Sequence, residues 1–248
     1  MFGHKKFDCA QCYANQVTTW GKSDRTFGAG SPPKWRIENT PASWGSENPR
    51  VVVLGFSRGQ NQSHDRQAFD QVAFHGMRPA LGEILRRLDL LGPGEGVDAR
   101  MRAGEQDFAF SSLIRCSIAQ WDKSKVRYAK SGNAILKTCL KDADSRPLAT
   151  ACTERFLAEL PERLQLVILL GNEESYVEGC RELVSRLHAR VRPINAVAYG
   201  DDRVTWIHTV HAKAQGSHLR DWLDRPASAS GQGEKRELAL QAIRAASN

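Results

Sequence analysis

The segment of residues 50–61, with the sequence RVVVLGFSRGQN, constrains the fold more than any other part of the chain. Four apolar residues, three of them β-branched, run into Gly55, and this pattern is typical of a strand buried on both faces of a parallel sheet. Ligands of such sheets bind beyond the carboxyl ends of the strands. We therefore expect a binding site at residues 56–61, although neither GxGxxG nor GxxxxGK(S/T) is present to indicate phosphate binding.

Apolar runs and helical patterns alternate along most of the chain. Residues 107–116, 164–171 and 204–208 read as further strands, and residues 78–92, 150–160 and 173–191 carry helical spacing. This order predicts an α/β protein, a three-layer α/β/α sandwich with a central, mainly parallel four-stranded sheet. Residues 13–49 predict an irregular arm anchored by Trp20, Trp35 and Trp44. We expect one domain over residues 1–225, then a linker and a short C-terminal helix over residues 226–248.

Length and composition exclude some functional classes. The 248 residues contain no run approaching the roughly 18 apolar residues of a membrane span, and the N-terminus lacks a signal-peptide core. We therefore expect a cytoplasmic monomer without a membrane partner. The net charge of +7 favours a polyanionic partner, while an enzyme of small molecules remains the alternative.

Six cysteines in such a chain indicate metal, redox or burial roles rather than disulfides. Cys9 and Cys12 form a CxxC pair, which needs two more thiolates to complete a metal site. The remaining cysteines are Cys116, Cys139, Cys152 and Cys180.

Polar loops follow three of the predicted strands, at residues 55–61, 111–116 and 208–218. If the strands are parallel, these loops meet at one edge of the sheet and form a pocket. The last loop holds His208, His211 and His218 beside Lys213. Three histidines indicate a site that meets negative charge, although any one could be a structural hydrogen-bonding group. Zinc is a poorer alternative because no HExxH spacing is present.

Other polar and aromatic residues near these loops could each have either a functional or a structural role. Asp65 or Asp70 could act as a general base, or could be solvated loop carboxylates. Asn61 and Gln60 could read a base edge, or could hydrogen-bond within their loop. Phe74 could stack on a planar ligand or belong to the core, and so could Phe56. The lysines of residues 121–146 could contact phosphates or belong to a solvated loop.

The order of these segments resembles the uracil-DNA glycosylase superfamily, in particular its iron–sulfur branches, families 4 and 5. The resemblance extends from Cys9 to about Leu223. Residues 116–152 carry its most specific part, because residues 151–160 are similar to the AACRPFLxxEL helix of those enzymes. The other similar segments are residues 9–12 (the cysteine pair), 51–59 (GEAPG), 73–76 (PFxG), 111–116 (TNxxKC) and 211–213 (HPS).

The resemblance implies a cofactor, a [4Fe-4S] cluster with a structural role that ties the arm to the following helix. Its ligands would be Cys9, Cys12, Cys116 and Cys152, with Cys139 as the rival fourth ligand. Cys180 would be an ordinary buried helix cysteine.

The resemblance also implies an activity: a DNA-repair glycosylase that hydrolyses the N-glycosidic bond of uracil, or a related deaminated base, in DNA. Phe74 would stack on the flipped base, and His211 or His208 would stabilise the departing anion. Asp65, or a loop amide such as Asn61, would position water. The remaining pocket residues would be Gly55, Phe56, Ser57, Gln60 and Ser112. The residues contacting DNA would be Arg58, Lys123, Lys125 and Lys213.

The motifs depart from the family pattern at three places. Phe56-Ser57-Arg58 stands where an acid or a glutamine–aspartate pair is frequent, Ser112 where asparagine reads uracil, and Ala212-Lys213 where proline and serine are usual. Two alternatives therefore stay open. One is a non-catalytic or weakly active protein that binds uracil or damaged DNA on the same scaffold. The other is a hydrolase of free nucleobases or nucleosides without DNA contacts.

Overall fold

The computed structural model describes residues 2–14, 16–59, 68–129, 138–228 and 231–246. Twelve strands are present in these residues: β1 (Lys5–Lys6), β2 (Asp24–Phe27), β3 (Trp35–Glu38), β4 (Ala42–Gly45), β5 (Val51–Ser57), β6 (Phe108–Ile114), β7 (Ser117–Asp122), β8 (Arg127–Ala129), β9 (Leu166–Leu170), β10 (Arg192–Asn195), β11 (Ala198–Gly200) and β12 (Thr205–Thr209). The α-helices of the same residues are α1 (Phe69–Val72), α2 (Arg78–Arg87), α3 (Arg146–Leu157), α4 (Glu174–Leu187), α5 (His218–Asp224) and α6 (Gln232–Ala246).

The main sheet has eight strands in the order β1-β4-β6-β5-β9-β12-β11-β10. Its centre is the parallel set β6, β5, β9 and β12, which corresponds to the four predicted strands. The α/β class and the parallel centre are confirmed. The expected number of four strands is wrong, because antiparallel strands extend the sheet on both sides. These flanking strands are two to four residues long, too short to show a sequence period.

Side chains of β5 alternate between two hydrophobic cores, one on each face of the sheet. Val52 and Leu54 belong to the core that includes residues of α3 and α4. Val53 belongs to the other, which includes residues of α2, α5 and α6. This alternation follows from the two-residue period of a strand and gives helices on both faces of the sheet.

A second sheet of four strands, in the order β2-β3-β7-β8, was not expected from the sequence. It contains much of the predicted irregular arm, and it turns the start of the predicted basic insertion into the β7–β8 hairpin. Both expectations are therefore wrong at these residues. The arm is anchored as expected by Trp35 and Trp44, which are buried, and Trp20 donates a hydrogen bond of 3.0 Å from Nε1 to the carbonyl of Pro41.

The helices lie close to their predicted positions. Helices α2 and α3 each carry proline in the first turn, where its missing N–H costs no hydrogen bond. Helix α6 packs on β12 and α5, and Asn195 of β10 donates a 2.9 Å hydrogen bond to the carbonyl of Leu238. Within the described ranges, none of the helices combines the length and the apolar character that crossing a membrane requires.

Candidate functional site

Four cysteines that are far apart in sequence line one cavity beside the second sheet. They are Cys9, Cys12, Cys116 and Cys152. The cavity is small and partly open to solvent. Its other walls are mainly apolar and include Tyr13, Ile37, Pro41, Ile114 and Phe156.

The N-terminal pair is held by side chains at the second sheet, which donate hydrogen bonds to the backbone carbonyls of the two cysteines. Cys12 lies in a 3-10 turn, Gln11–Tyr13, that Ala14 closes in the left-handed region at φ 52°. Asn39 Nδ2 donates to the carbonyl of Cys9 at 2.8 Å, and Arg25 Nη1 donates to the carbonyl of Cys12 at 2.7 Å. The CxxC segment is therefore fixed by β2 and the end of β3, although it has little regular structure of its own.

The other two cysteines come from the main sheet and the helix that covers it. Cys116 follows the carboxyl end of β6, and Cys152 lies in α3. Both sulfurs accept hydrogen bonds from backbone N–H groups: Cys152 Sγ from Arg115 at 3.3 Å, and Cys116 Sγ from Thr40. Such N–H donors stabilise thiolates and are typical of the surroundings of metal-bound sulfur.

Burial raises the pKa of three of these thiols, and their neighbours in the cavity add to the effect. The pKa of Cys12 is raised to about 12 by burial and then by Cys152 and Cys9. The pKa of Cys152 is raised to about 11 by burial, against the lowering effect of the Arg115 backbone N–H and guanidinium. The pKa of Cys116 is raised by burial and by Cys152. The thiols of Cys12, Cys116 and Cys152 therefore stay protonated until a cation displaces their protons.

The donor set of the cavity consists of four thiols. Four cysteine thiolates are the ligand set that holds iron–sulfur clusters in proteins. Among the described residues, no three histidine, cysteine, aspartate or glutamate side chains are grouped so that they could hold a metal ion.

The two remaining cysteines lie outside this cavity. Cys139 is fully buried in the core next to α3, where Ser145 Oγ donates to its carbonyl at 2.8 Å. Cys180 is buried in α4. The geometry favours Cys152 over Cys139 as the fourth member of the set.

Two arginines, Arg58 and Arg115, lie inside the protein close to the four-thiol cavity. Arg58 is 1% exposed, and its guanidinium lies 5.0 Å from the rings of both Trp20 and Trp44. Arg115 is 1% exposed, with its guanidinium 4.7 Å from the Phe2 ring and 4.9 Å from the Phe156 ring. The burial of Arg58 does not fit the DNA contact that we expected, because its charge does not reach the surface. Arg115 was missed, although it directly precedes Cys116 in the sequence.

A second region lies at the carboxyl ends of β5, β6 and β12. At Gly55 of β5, a Cβ atom would lie 3.6 Å from Ser112 Oγ and 3.7 Å from Phe74 Cε1. The residues Gly55, Ser112 and Phe74 therefore meet, as expected from the sequence. Phe74 has φ 50°, a conformation that is rare for a bulky residue and that is often found at functional sites.

The histidine loop reaches the same edge. Lys213 Nζ lies 3.9 Å from the position that a Cβ atom would take at Gly76, two residues beyond Phe74. His211 Nδ1 accepts a 3.0 Å hydrogen bond from the backbone N–H of Lys213, so the ring proton is on Nε2. Burial, and then the Lys213 charge, lowers the pKa of His211 to about 4. At neutral pH, His211 is thus an uncharged donor.

His208 has a different environment from His211. It is fully buried, its Nδ1 donates to the carbonyl of Gly171 at 2.7 Å, and its Nε2 lies 3.2 Å from the hydroxyl of Tyr199. Burial lowers its pKa to about 4. Because both ring nitrogens have partners in the core, His208 is suited to a structural role and not to contact with a ligand.

The other expected site residues are scattered or lie outside the described part of the chain. Phe56 points into the core against Tyr176, with ring centroids 5.8 Å apart, and Ser57 ends β5. Lys123 and Lys125 are exposed in the β7–β8 turn. Asp70 Oδ1 accepts a 2.6 Å hydrogen bond from His4 Nε2. Gln60, Asn61 and Asp65 fall outside the described residues.

Comparison of the sequence with models of known protein families gave no match, and comparison with curated proteins gave none either.

Proposed function

We propose that the protein is a monofunctional DNA glycosylase that hydrolyses the N-glycosidic bond of uracil, or of a related deaminated base, in DNA. The proposal is carried by one observation: the four cysteines that the sequence resemblance selects line a single cavity. A chance similarity between short motifs would not require distant cysteines to converge.

In this proposal, Cys9, Cys12, Cys116 and Cys152 hold a [4Fe-4S] cluster. When bound, the cluster would supply structural cross-linking, and it takes no part in bond cleavage. The cysteines belong to the N-terminal segment, the end of β6 and helix α3, so their common attachment would fix these elements against each other. Metal binding to sites of this kind contributes directly to the stability of the fold.

The pocket residues would act on a base flipped out of the duplex. Phe74 would contact the face of the base above Gly55, and Ser112 Oγ would contact its polar edge. His211 Nε2–H would donate to the uracil O2 atom as negative charge develops there when the glycosidic bond breaks. A neutral imidazole can donate this hydrogen bond because its single ring proton is on Nε2. Lys213 would lie near the flanking phosphate.

Water activation is assigned to residues that follow β5 in the sequence. Asp65 would accept a proton from the water that attacks C1′, and Asn61 would orient that water. Gln60 would add a contact to the edge of the base. These three roles come from the sequence resemblance and are part of the proposal.

A second candidate function is binding of uracil-containing or damaged DNA without excision. It is favoured by Phe56-Ser57-Arg58, which stand where the first motif of the family that the chain resembles often has an acid or a glutamine–aspartate pair. Arg58 is buried, with its guanidinium 5.0 Å from the Trp20 ring. Lys123, Lys125 and Lys213 could retain phosphate contacts in such a protein.

A labelled oligonucleotide with one uracil tests both candidates. We expect single-turnover formation of an abasic site, detected as alkali-labile cleavage, in the wild type and a strong loss in His211→Ala. A mobility shift without cleavage would support the binding function instead. Absence of any binding at low salt would contradict both and favour a hydrolase of free nucleobases or nucleosides. Parallel substrates with hypoxanthine and xanthine would define the base.

A further inference from the structure

Two arginines lie inside the protein. Within the described ranges, Arg58 and Arg115 are the lysine, arginine, aspartate or glutamate residues that are buried, each with 1% of its surface exposed. Burial of a cation is unfavourable unless negative charge or favourable dipoles lie nearby. The groups around these two guanidinium groups therefore decide how their charge is stabilised.

Both arginines are attached to the four-thiol cavity through hydrogen bonds. The backbone N–H of Arg115 donates to Cys152 Sγ at 3.3 Å, and Arg115 precedes Cys116 in the chain. The backbone N–H of Arg58 donates to the carbonyl of Cys116 at 3.3 Å. Arg58 Nη1 also donates to the carbonyl of Thr40 at 2.6 Å, and the N–H of Thr40 donates to Cys116 Sγ. Each arginine is thus fixed with respect to a different cysteine.

The aromatic rings around the guanidinium groups restrict their position further. Arg115 lies between Phe2 and Phe156, and Phe156 is also a wall of the cavity. Arg58 lies between the two indole rings of Trp20 and Trp44. Cation–π contacts hold both guanidinium groups in place. Arg115 itself lines the cavity, and each arginine interacts electrostatically with a thiol of the set: Arg58 with Cys116, and Arg115 with Cys152.

We propose that Arg58 and Arg115 are the built-in counter-charges of the four-thiol centre and that they raise its reduction potential. This inference rests on the proposed [4Fe-4S] cluster. Four thiolates bound to a cluster core in its resting 2+ state leave two negative charges uncompensated, and the two guanidinium groups match them in number. Because reduction adds a negative charge, nearby cations favour the reduced state and protect the cluster from oxidation.

The test compares neutral and charged replacements at both positions. Arg58→Gln, Arg58→Met, Arg115→Gln and Arg115→Met remove the charge, whereas Arg58→Lys and Arg115→Lys keep it. Arg190→Gln is the matched control, because Arg190 is exposed, pairs with exposed Asp202 at 3.3 Å, and precedes β10 at the opposite edge of the sheet. Iron content and the one-electron reduction potential of the cluster are measured for each folded protein.

We expect each neutral variant to bind iron and to shift the reduced-to-oxidised ratio at a fixed potential at least tenfold toward the oxidised cluster. For a one-electron couple, this corresponds to a potential about 59 mV more negative. The reduction potentials of the lysine variants should shift less than those of the neutral variants, and the potential of Arg190→Gln should not shift.

Reduction potentials that are unchanged in the neutral variants would overturn the inference. If neutral variants do not fold while lysine variants do, a need for the charge is supported; if neither folds, the arginines serve packing and the inference fails. Wild-type protein without iron would instead contradict the cofactor itself.

Discussion

The four-thiol cavity and the carboxyl edge of the parallel strands differ in the chemistry of the side chains that they bring together. The cavity is formed by described residues alone, and its cysteines, backbone donors and buried arginines make direct contacts. At the sheet edge, the structure describes Phe74, Ser112, His211 and Lys213, while Gln60, Asn61 and Asp65 lie outside the described part. The cavity can therefore be tested without knowledge of the substrate, whereas the edge can be tested only through a reaction.

The largest effect is expected from replacing a cysteine of the cavity. Cys152→Ser should lose the iron and the brown colour and destabilise the fold by more than about 4 kcal/mol, because loss of a structural metal removes binding energy that supports folding. Cys139→Ser is the matched control, since Cys139 is also buried but does not line the cavity. Iron analysis and denaturant unfolding measure both variants. Iron loss in Cys139→Ser, with full iron in Cys152→Ser, would reverse the ligand assignment.

The second effect concerns catalysis at the sheet edge. His211→Ala should lower the single-turnover rate of uracil excision by about 10²–10³-fold, the usual cost of removing a donor to a developing anion. Thermal stability and iron content should change little, because His211 is only half-buried. His218→Ala serves as the control, because His218 is an exposed residue of the same loop region at the start of α5. Equal rates for His211→Ala and wild type would remove His211 from the mechanism.

The third effect distinguishes the two histidines by the pH dependence of stability. The pKa of His208 is about 4 in the folded protein, against 6.5 as its ordinary value, so the unfolded chain binds a proton that the folded protein excludes between these values. Stability should therefore be full above pH 6.5 and fall as the pH drops toward 4, by up to about 3 kcal/mol for this residue.

Denaturant unfolding at a series of pH values measures this dependence. His208→Gln should be less stable at neutral pH and show a shallower slope between pH 6.5 and 4 than wild type. His211→Gln should remove a smaller part of the slope, because His211 is more exposed than His208. A slope that is the same in wild type and His208→Gln would mean that another group dominates the acid response.

The smallest effect is expected for the phosphate contact. Lys213→Met should weaken DNA binding similarly for all sequences and reduce the slope of log affinity against log salt by about 1. Lys22→Met is a suitable comparison, because Lys22 lies in the turn before β2 and was not placed near DNA. Fluorescence anisotropy at several salt concentrations measures both slopes. If the two variants behave alike, Lys213 is an ordinary surface lysine.

The sequence predicted those parts of the fold that have a strong pattern of their own. The central strands β5, β6, β9 and β12 were predicted because their burial on both faces requires apolar runs. Strand β2, with the sequence DRTF, is almost entirely exposed. Its partner β3 pairs on the other side with β7, which lies about 80 residues further along the chain. Its polar composition gave no signal, so the second sheet was missed.

In the candidate site, too, only the residues with a clear sequence signal were identified from the sequence. Cys9 and Cys12 were found as a CxxC pair, and Cys116 and Cys152 were implied by the resemblance to the glycosylase family. Arg58 was assigned to DNA because a loop arginine is normally exposed; its burial depends on Trp20 and Trp44, which approach from distant positions in the sequence. His208 and His211 could not be separated by type or spacing, because only the contacts of their ring nitrogens distinguish them.

The most direct test of the central claim is the iron and acid-labile sulfide content of the purified wild-type protein, measured beside its folded state by circular dichroism. Cys9, Cys12, Cys116 and Cys152 predict a brown protein with about four iron and four sulfide ions per chain, as one [4Fe-4S] cluster requires. A colourless, well-folded preparation without iron, or with a single zinc ion in its place, would contradict the account.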